Sequence, residues 1–192
     1  MLVNPLFPIA VVSCRNIPID QSLIEMIQTL EYRPTAHYQF GKTWISYSMD
    51  VLPDQYKQII LEKFHHYTER YYGTSTKFKI GTSWATKTEA YGHGSKHTHS
   101  NYFYSGVLYL EDCSSITIHA PHDNRWMLDY TKVTQFNQSA YVHTPKKGDL
   151  IFFPSNCRHG IDYNDCEYNR YSIAFNIAPV PPYGHSDSLV LE

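Results

Sequence analysis

Three short segments of this 192-residue chain carry residue types that could do chemistry together. The first is His97-Thr98-His99, set just before the apolar run Phe103 to Leu110. In an extended chain residues i and i+2 point to the same side, so both imidazoles can reach one metal ion from the mouth of a barrel. A bare HxH pair also occurs in solvated loops, so the spacing alone leaves both readings open. The second is His159, delivered by a polar turn after the apolar strand Leu150 to Phe153 and Pro154. A lone histidine after a strand is usually structural. The third is Arg170 with Ser172 at the head of the run SIAFNIAP, 11 residues beyond His159, where alternation puts the two side chains on one face. An arginine aimed into a barrel is a costly buried charge unless an anion meets it, and a dicarboxylate ligand would. Imidazoles from two separated strands plus an inward Arg/Ser pair are the parts needed for a redox iron chelated by an α-keto acid. Three protein ligands on one face of an octahedron leave positions for the keto acid and O2.

The elements that must position these groups are legible in the hydrophobic period. Phe7 to Cys14 is a β-branched apolar run bounded by prolines and reads as a strand. Asp20 reads as the N-cap of an amphipathic helix from Gln21 to Leu30, with Leu23, Ile24, Ile27 and Leu30 on one face, ending before Pro34. Pro53 and Asp54 open a second helix, which runs to about Tyr71 and is closed by Gly73. From Lys77 the period changes to that of strands: FKIGTSWAT, NYFYSGVLYL, SSITIHA, GDLIFFP and NRYSIAFNIAP, separated by polar turns. Helices followed by strands without intervening helices predict an α+β chain whose helices buttress an antiparallel sandwich or barrel. The polar stretch His119 to Tyr141 reads as a loop over a site. The chain is expected to be one domain, with a helix-rich buttress over 1–75, a strand core over 76–180 and a tail over 181–192.

Composition narrows the class further. A net charge of −2 provides no general attraction to nucleic acid or anionic lipid. Cys14, Cys113, Cys157 and Cys166 contain no CxxC pair, which argues against a disulfide framework or zinc knuckle and for reduced thiols in the cytoplasm. The apolar opening Met1 to Val12 is short, lacks a basic flank and contains Pro5 and Pro8, so neither a signal peptide nor a membrane span is expected.

In the residues picked out above the sequence resembles the 2-oxoglutarate/Fe(II) oxygenases, in particular a small branch found in bacteria and their viruses. The likeness covers about Trp84 to Pro179 in four ordered blocks: Ser83-Trp84; HxH followed by Ser105 to Leu110; Gly148 to His159; and Arg170 to Asn176. The N-terminal third contributes little to it. The resemblance implies a double-stranded β-helix, a jelly-roll or cupin-like barrel, with Fe(II), 2-oxoglutarate and O2 as cofactor and co-substrates. It implies His97 and His159 as iron-binding imidazoles, with the residue two beyond the first as third ligand. Here that residue is His99, where the broader superfamily places Asp or Glu. A third imidazole brings no negative charge, so the protein part of the site stays at +2 until 2-oxoglutarate arrives. A frame shifted by two residues remains open, making His99 and Asn101 the motif pair with Asn101 as a neutral oxygen donor. The resemblance also implies that Arg170 pairs through its planar fork with the distal carboxylate of 2-oxoglutarate, with Ser172 adding a hydroxyl. Tyr109 is implied as a further donor or, equally, as a core tyrosine. Trp84 and Asn176 are expected to line the cavity or pack beside it.

The reaction so implied is hydroxylation of a C–H bond coupled to decarboxylation of 2-oxoglutarate to succinate. Tyr102, Tyr104, His122, Arg125, Trp126 and Tyr130 are expected around the mouth, a mixture suited to a small molecule or a peptide. His65-His66 reads as solvated, while His93, His119 and His143 fall in or near loops that could cover the site. Two alternatives stay open: a three-histidine cupin-type dioxygenase without 2-oxoglutarate, against which Arg170 and Ser172 argue, and a non-catalytic metal-binding barrel.

Overall fold

The computed structural model describes residues 9–112, 114–121, 129 and 131–184. In chain order its elements are β1 (Val12–Cys14), α1 (Gln21–Gln28), β2 (Tyr32–Pro34), α2 (Tyr38–Gly41), β3 (Thr43–Ser46), α3 (Asp54–Tyr72), β4 (Phe78–Thr88), β5 (Tyr104–Tyr109), β6 (Ile116–His119), β7 (Ala140–His143), β8 (Leu150–Pro154), β9 (His159–Ile161) and β10 (Arg170–Pro179). The strands form a seven-stranded sheet, ordered β1-β8-β5-β10-β4-β3-β2, and a three-stranded sheet, ordered β7-β6-β9. From β4 onward the chain alternates between them. It leaves the large sheet after β4, meets the small one at His97, returns as β5, crosses as β6 and β7, returns as β8, crosses as β9 and ends in β10. That winding is the expected double-stranded β-helix.

The large sheet is buried on both faces, which is why β5 and β8 read as unbroken apolar runs. Alternation assigns the faces. On β10, Ile173, Phe175 and Ile177 join the core beneath the helices with Ile60 and Phe64 of α3, while Arg170, Ser172 and Asn176 face the space between the sheets. On β8, Leu150 and Phe152 pack toward the helices, while Ile151 and Phe153 pack inward with Val107, Tyr109, Ile116 and Ile118. A one-residue slip of β10 would exchange these sets and send Arg170 into the helix core, so register here is strongly specified. Gly106 lies at a close crossing: a Cβ there would sit 2.6 Å from the Ile151 carbonyl oxygen and against the Phe175 ring.

The first third differs in detail from the sequence reading. The strand expected in Phe7 to Cys14 is present as β1, which pairs with β8, whereas β2 and β3, which extend the large sheet beyond β4, were not expected. Helix α1 begins after Asp20, but that carboxylate does not cap it; Oδ2 accepts hydrogen bonds from the Tyr56 hydroxyl (3.1 Å) and Gln55 Nε2 (3.3 Å), tying α1 to α3. The helix stops at Gln28, short of Leu30. Gly73 closes α3 at φ 64°, as the sequence predicts. His65 is not simply solvated, since its Nε2 accepts the Phe78 backbone N–H at 3.0 Å. His119 and His143 lie on strands β6 and β7, and part of the stretch read as a loop between them lies outside the described residues. Among the described residues no helix is long and apolar enough to cross a membrane.

Candidate metal centre

His97 and His159 meet although they come from separate crossings. Their backbones form an antiparallel bridge, with each N–H donating to the other's carbonyl at 2.9 Å. His99 is fixed from the same loop by its N–H, which donates to the Ser155 carbonyl at 3.0 Å. The HxH segment is therefore not a regular strand, as the i and i+2 argument assumed. Its side chains converge because backbone bonds from the β8–β9 turn hold it there. The three ring centroids lie 4.6 to 5.2 Å apart, and one ligand atom from each ring falls within 4.8 Å of the others. Donors that share one face of an octahedron with bonds of about 2.1 Å sit about 3.0 Å apart, so the rings draw together when an ion binds.

Each ring is prepared for ligation. His159 Nδ1 lies 2.9 Å from the Cys157 carbonyl and His97 Nδ1 lies 2.8 Å from the Ser95 carbonyl, which makes each Nδ1 the protonated donor and leaves Nε2 with its lone pair free. Burial pushes His159 down to about 3, aided by the neighbouring His97 and His99 and opposed by the bond to Cys157. Burial, then His97, lowers His99 to about 4. Both are neutral bases at physiological pH, the form a metal requires. The imidazoles are graded from the exposed His97 through the half-buried His99 to the buried His159.

These rings form one wall of a cavity of about 480 Å³ between the sheets. Arg170 closes it at another side, buried to 2% exposure, with Nε and Nη1 unpartnered among the described residues. Its Cζ lies 5.6 Å from the centre of the Tyr109 ring, a cation–π contact that orients the guanidinium without using its N–H donors. Ser172, Trp84 and Asn176 also line the cavity. Trp84 packs on His99 with centroids 5.4 Å apart. The Asn176 carboxamide is held at both ends, its oxygen accepting from Ser105 Oγ (2.7 Å) and its nitrogen donating to Thr82 Oγ1 (3.2 Å).

The structure does not bring Asn101 to this cavity. Exposed and at φ 65°, it lines an outer groove with Pro154 and Asn156, a groove that His99 also borders. Tyr102 borders both spaces, whereas Tyr104 points to the helix side and bonds Tyr67 and Tyr72. His122, Arg125, Trp126 and Tyr130 lie outside the described residues. Sequence reasoning missed the wall supplied by the N-terminal third: Thr35, His37, Thr43, Ile45 and Met49 line the same cavity. The available signal was TWIS, a short β-branched run before Tyr47, and it depends on pairing with a strand some forty residues on.

Residues 82–176 match the model of a family described as "Putative 2OG-Fe(II) oxygenase". The matched segment, just short of half the chain, makes the strand core similar to the 2-oxoglutarate/Fe(II) oxygenases. These enzymes use Fe(II), 2-oxoglutarate and O2, and the histidine cluster and Arg170 fall inside the matched segment. No curated protein matches the sequence. Solved structures share the fold at low identity. An oxidoreductase of the 2OG-Fe(II) oxygenase family from Burkholderia pseudomallei is 13% identical, with a TM-score of 0.59 over 88% of this chain and 84% of its own. A Pseudomonas putida prolyl-4-hydroxylase is 11% identical, with a TM-score of 0.58 over 88% and 92%. HygX from Streptomyces hygroscopicus, with nickel, 2-oxoglutarate and hygromycin B bound, is 10% identical, with a TM-score of 0.57 over 89% and 83%.

Proposed function

We propose that this oxygenase holds Fe(II) on His97, His99 and His159 and anchors the distal carboxylate of 2-oxoglutarate on Arg170, with Ser172 and Tyr109 beside it. The observation that carries the reading is the pairing, across one cavity, of three converging imidazoles with a buried guanidinium whose Nε and Nη1 lack partners among the described residues. A buried unpaired arginine is costly, and a carboxylate that accepts two parallel N–H bonds removes that cost. The donor set fits iron as well: neutral nitrogen ligands on one side leave the opposite side for a bidentate keto acid and O2. Asn101 has no part in it.

When bound, the iron supplies the coupling of 2-oxoglutarate decarboxylation to oxidation of a C–H bond, giving succinate. The chain does the rest. The Cys157 and Ser95 carbonyls keep His159 and His97 in one tautomer. Arg170 sets the length and direction of the co-substrate, since its fork accepts a carboxylate in one plane. Val107, Phe153, Ile116 and Ile161 give the cavity apolar walls that exclude water. The remaining space lies under Thr35, His37, Ile45 and Met49, where a small molecule or a peptide side chain would present its C–H bond; the similar structure with hygromycin B bound supports a substrate of the first kind.

Anaerobic addition of Fe(II) and then 2-oxoglutarate tests this reading. A visible charge-transfer band that needs both components is expected. A folded, iron-loaded protein that binds no 2-oxoglutarate would refute it.

A further inference from the structure

Arg170 is a permanent charge with 2% exposure, and no Asp or Glu is among the described residues lining its cavity. One acidic side chain nevertheless stands at the root of its strand. The β5–β10 ladder ends at the pair Ser172 and Tyr109, and the same register continued two residues further would set Arg170 opposite Glu111. The chain has already bent away there, and Glu111 takes over the missing ladder position with its side chain: Oε1 accepts the backbone N–H of Tyr171 at 2.5 Å. Glu111 is half-buried, which raises its carboxyl above the ordinary range; the Tyr171 N–H and the charge of Arg170 pull the other way.

We infer that Glu111 is a positioning residue for the co-substrate anchor, fixing the start of β10 through Tyr171 and serving as the counter-charge of Arg170 while the cavity holds no dicarboxylate. The inference rests on the proposed anchor role of Arg170. Two consequences follow. The hydrogen bond holds the backbone on either side of the Arg170–Tyr171 peptide, so the guanidinium enters the cavity at one height. The carboxylate also competes electrostatically with 2-oxoglutarate for Arg170, so it weakens co-substrate affinity while making the empty state tolerable. A residue that only braced the strand would do the first and not the second.

The two roles separate by substitution. E111Q keeps an oxygen acceptor for the Tyr171 N–H and removes the charge, whereas E111D keeps the charge on a shorter arm. Binding of 2-oxoglutarate is measured by calorimetry on protein loaded with redox-inactive Zn(II), with R170A as reference. The expected result is a Kd for E111Q that is roughly three- to tenfold tighter than wild type, with E111D, which keeps the charge but gives up the Tyr171 bond, no tighter than wild type and zinc affinity unchanged in both. Damage to the strand weakens binding, so a gain has the opposite sign to a bracing role. An unchanged or weaker Kd in E111Q, or an equal gain in E111D, overturns the inference while leaving the anchor standing if R170A abolishes binding. Should E111Q fold poorly, the E111D result alone still decides, since tightening there contradicts the counter-charge role. If R170A binds as wild type does, the anchor reading and this inference fall together.

Discussion

His97 and His159 exchange a pair of 2.9 Å backbone hydrogen bonds, which sets their rings side by side with centroids 4.6 Å apart. In the proposed site, metal affinity rests on backbone geometry that forms when β9 folds back on the loop after β4. His159→Ala should lower iron affinity by more than about 100-fold, given that even the outer partners of ligating histidines are worth about 10- to 100-fold. It should also cost about 1–3 kcal/mol of stability, because the ring is 6% exposed and packs on Phe153 with centroids 4.5 Å apart. His97→Ala, at an exposed position, should lose metal with little loss of stability. Metal titration beside denaturant unfolding separates the two.

Arg170→Ala should weaken 2-oxoglutarate binding by roughly 100-fold or more while leaving iron affinity within about twofold. Arg170→Lys should recover little of the loss, since an ammonium cannot present two N–H bonds in one plane. Equal loss of iron and co-substrate in Arg170→Ala would contradict the anchor assignment.

The metal-free protein should lose stability as pH falls. His159 and His99 titrate at about 3 and about 4 in the fold, against about 6.5 in an unfolded chain. Between about pH 6.5 and pH 4 the unfolded state therefore binds more protons, and stability declines as pH is lowered through that window. Above it these two groups contribute no slope. Urea midpoints measured from pH 7.5 to 5 check this, and His159→Gln should show a shallower decline. A flat wild-type profile would contradict the buried, neutral state of the rings.

Gly106→Ala should destabilise the barrel by about 1–3 kcal/mol, since the added methyl meets the Ile151 carbonyl oxygen and the Phe175 ring from opposite strands. Thermal unfolding reads the loss. A neutral substitution would mean that β5 and β10 can separate locally without cost.

Much of this was legible in the sequence where one residue type had to satisfy a local rule. Strands β4, β5, β8 and β10 announce themselves by apolar runs, and α3 by its period and by Gly73. Arg170 and Ser172 share a face because alternation along β10 demands it. What escaped reading depends on distant partners. Strands β2 and β3 are too short to stand out and exist through pairing with each other and with β4. Asp20 reads as a cap until Tyr56, on another helix, takes its carboxylate. The pair of ladder bonds that fixes His97 cannot be foreseen from the HxH string, whereas the positive φ of Asn101 suits a residue type that tolerates the left-handed region. The counter-charge at Glu111 is likewise visible only once two strands are set in register.

The central claim is that three imidazoles, with no carboxylate, hold an iron that also takes 2-oxoglutarate. X-ray absorption on the anaerobic Fe(II) protein with 2-oxoglutarate counts these ligands directly. Scattering from three histidine rings together with two oxygens from the keto acid is expected. Two rings, or iron whose environment does not change when 2-oxoglutarate is added, would contradict it.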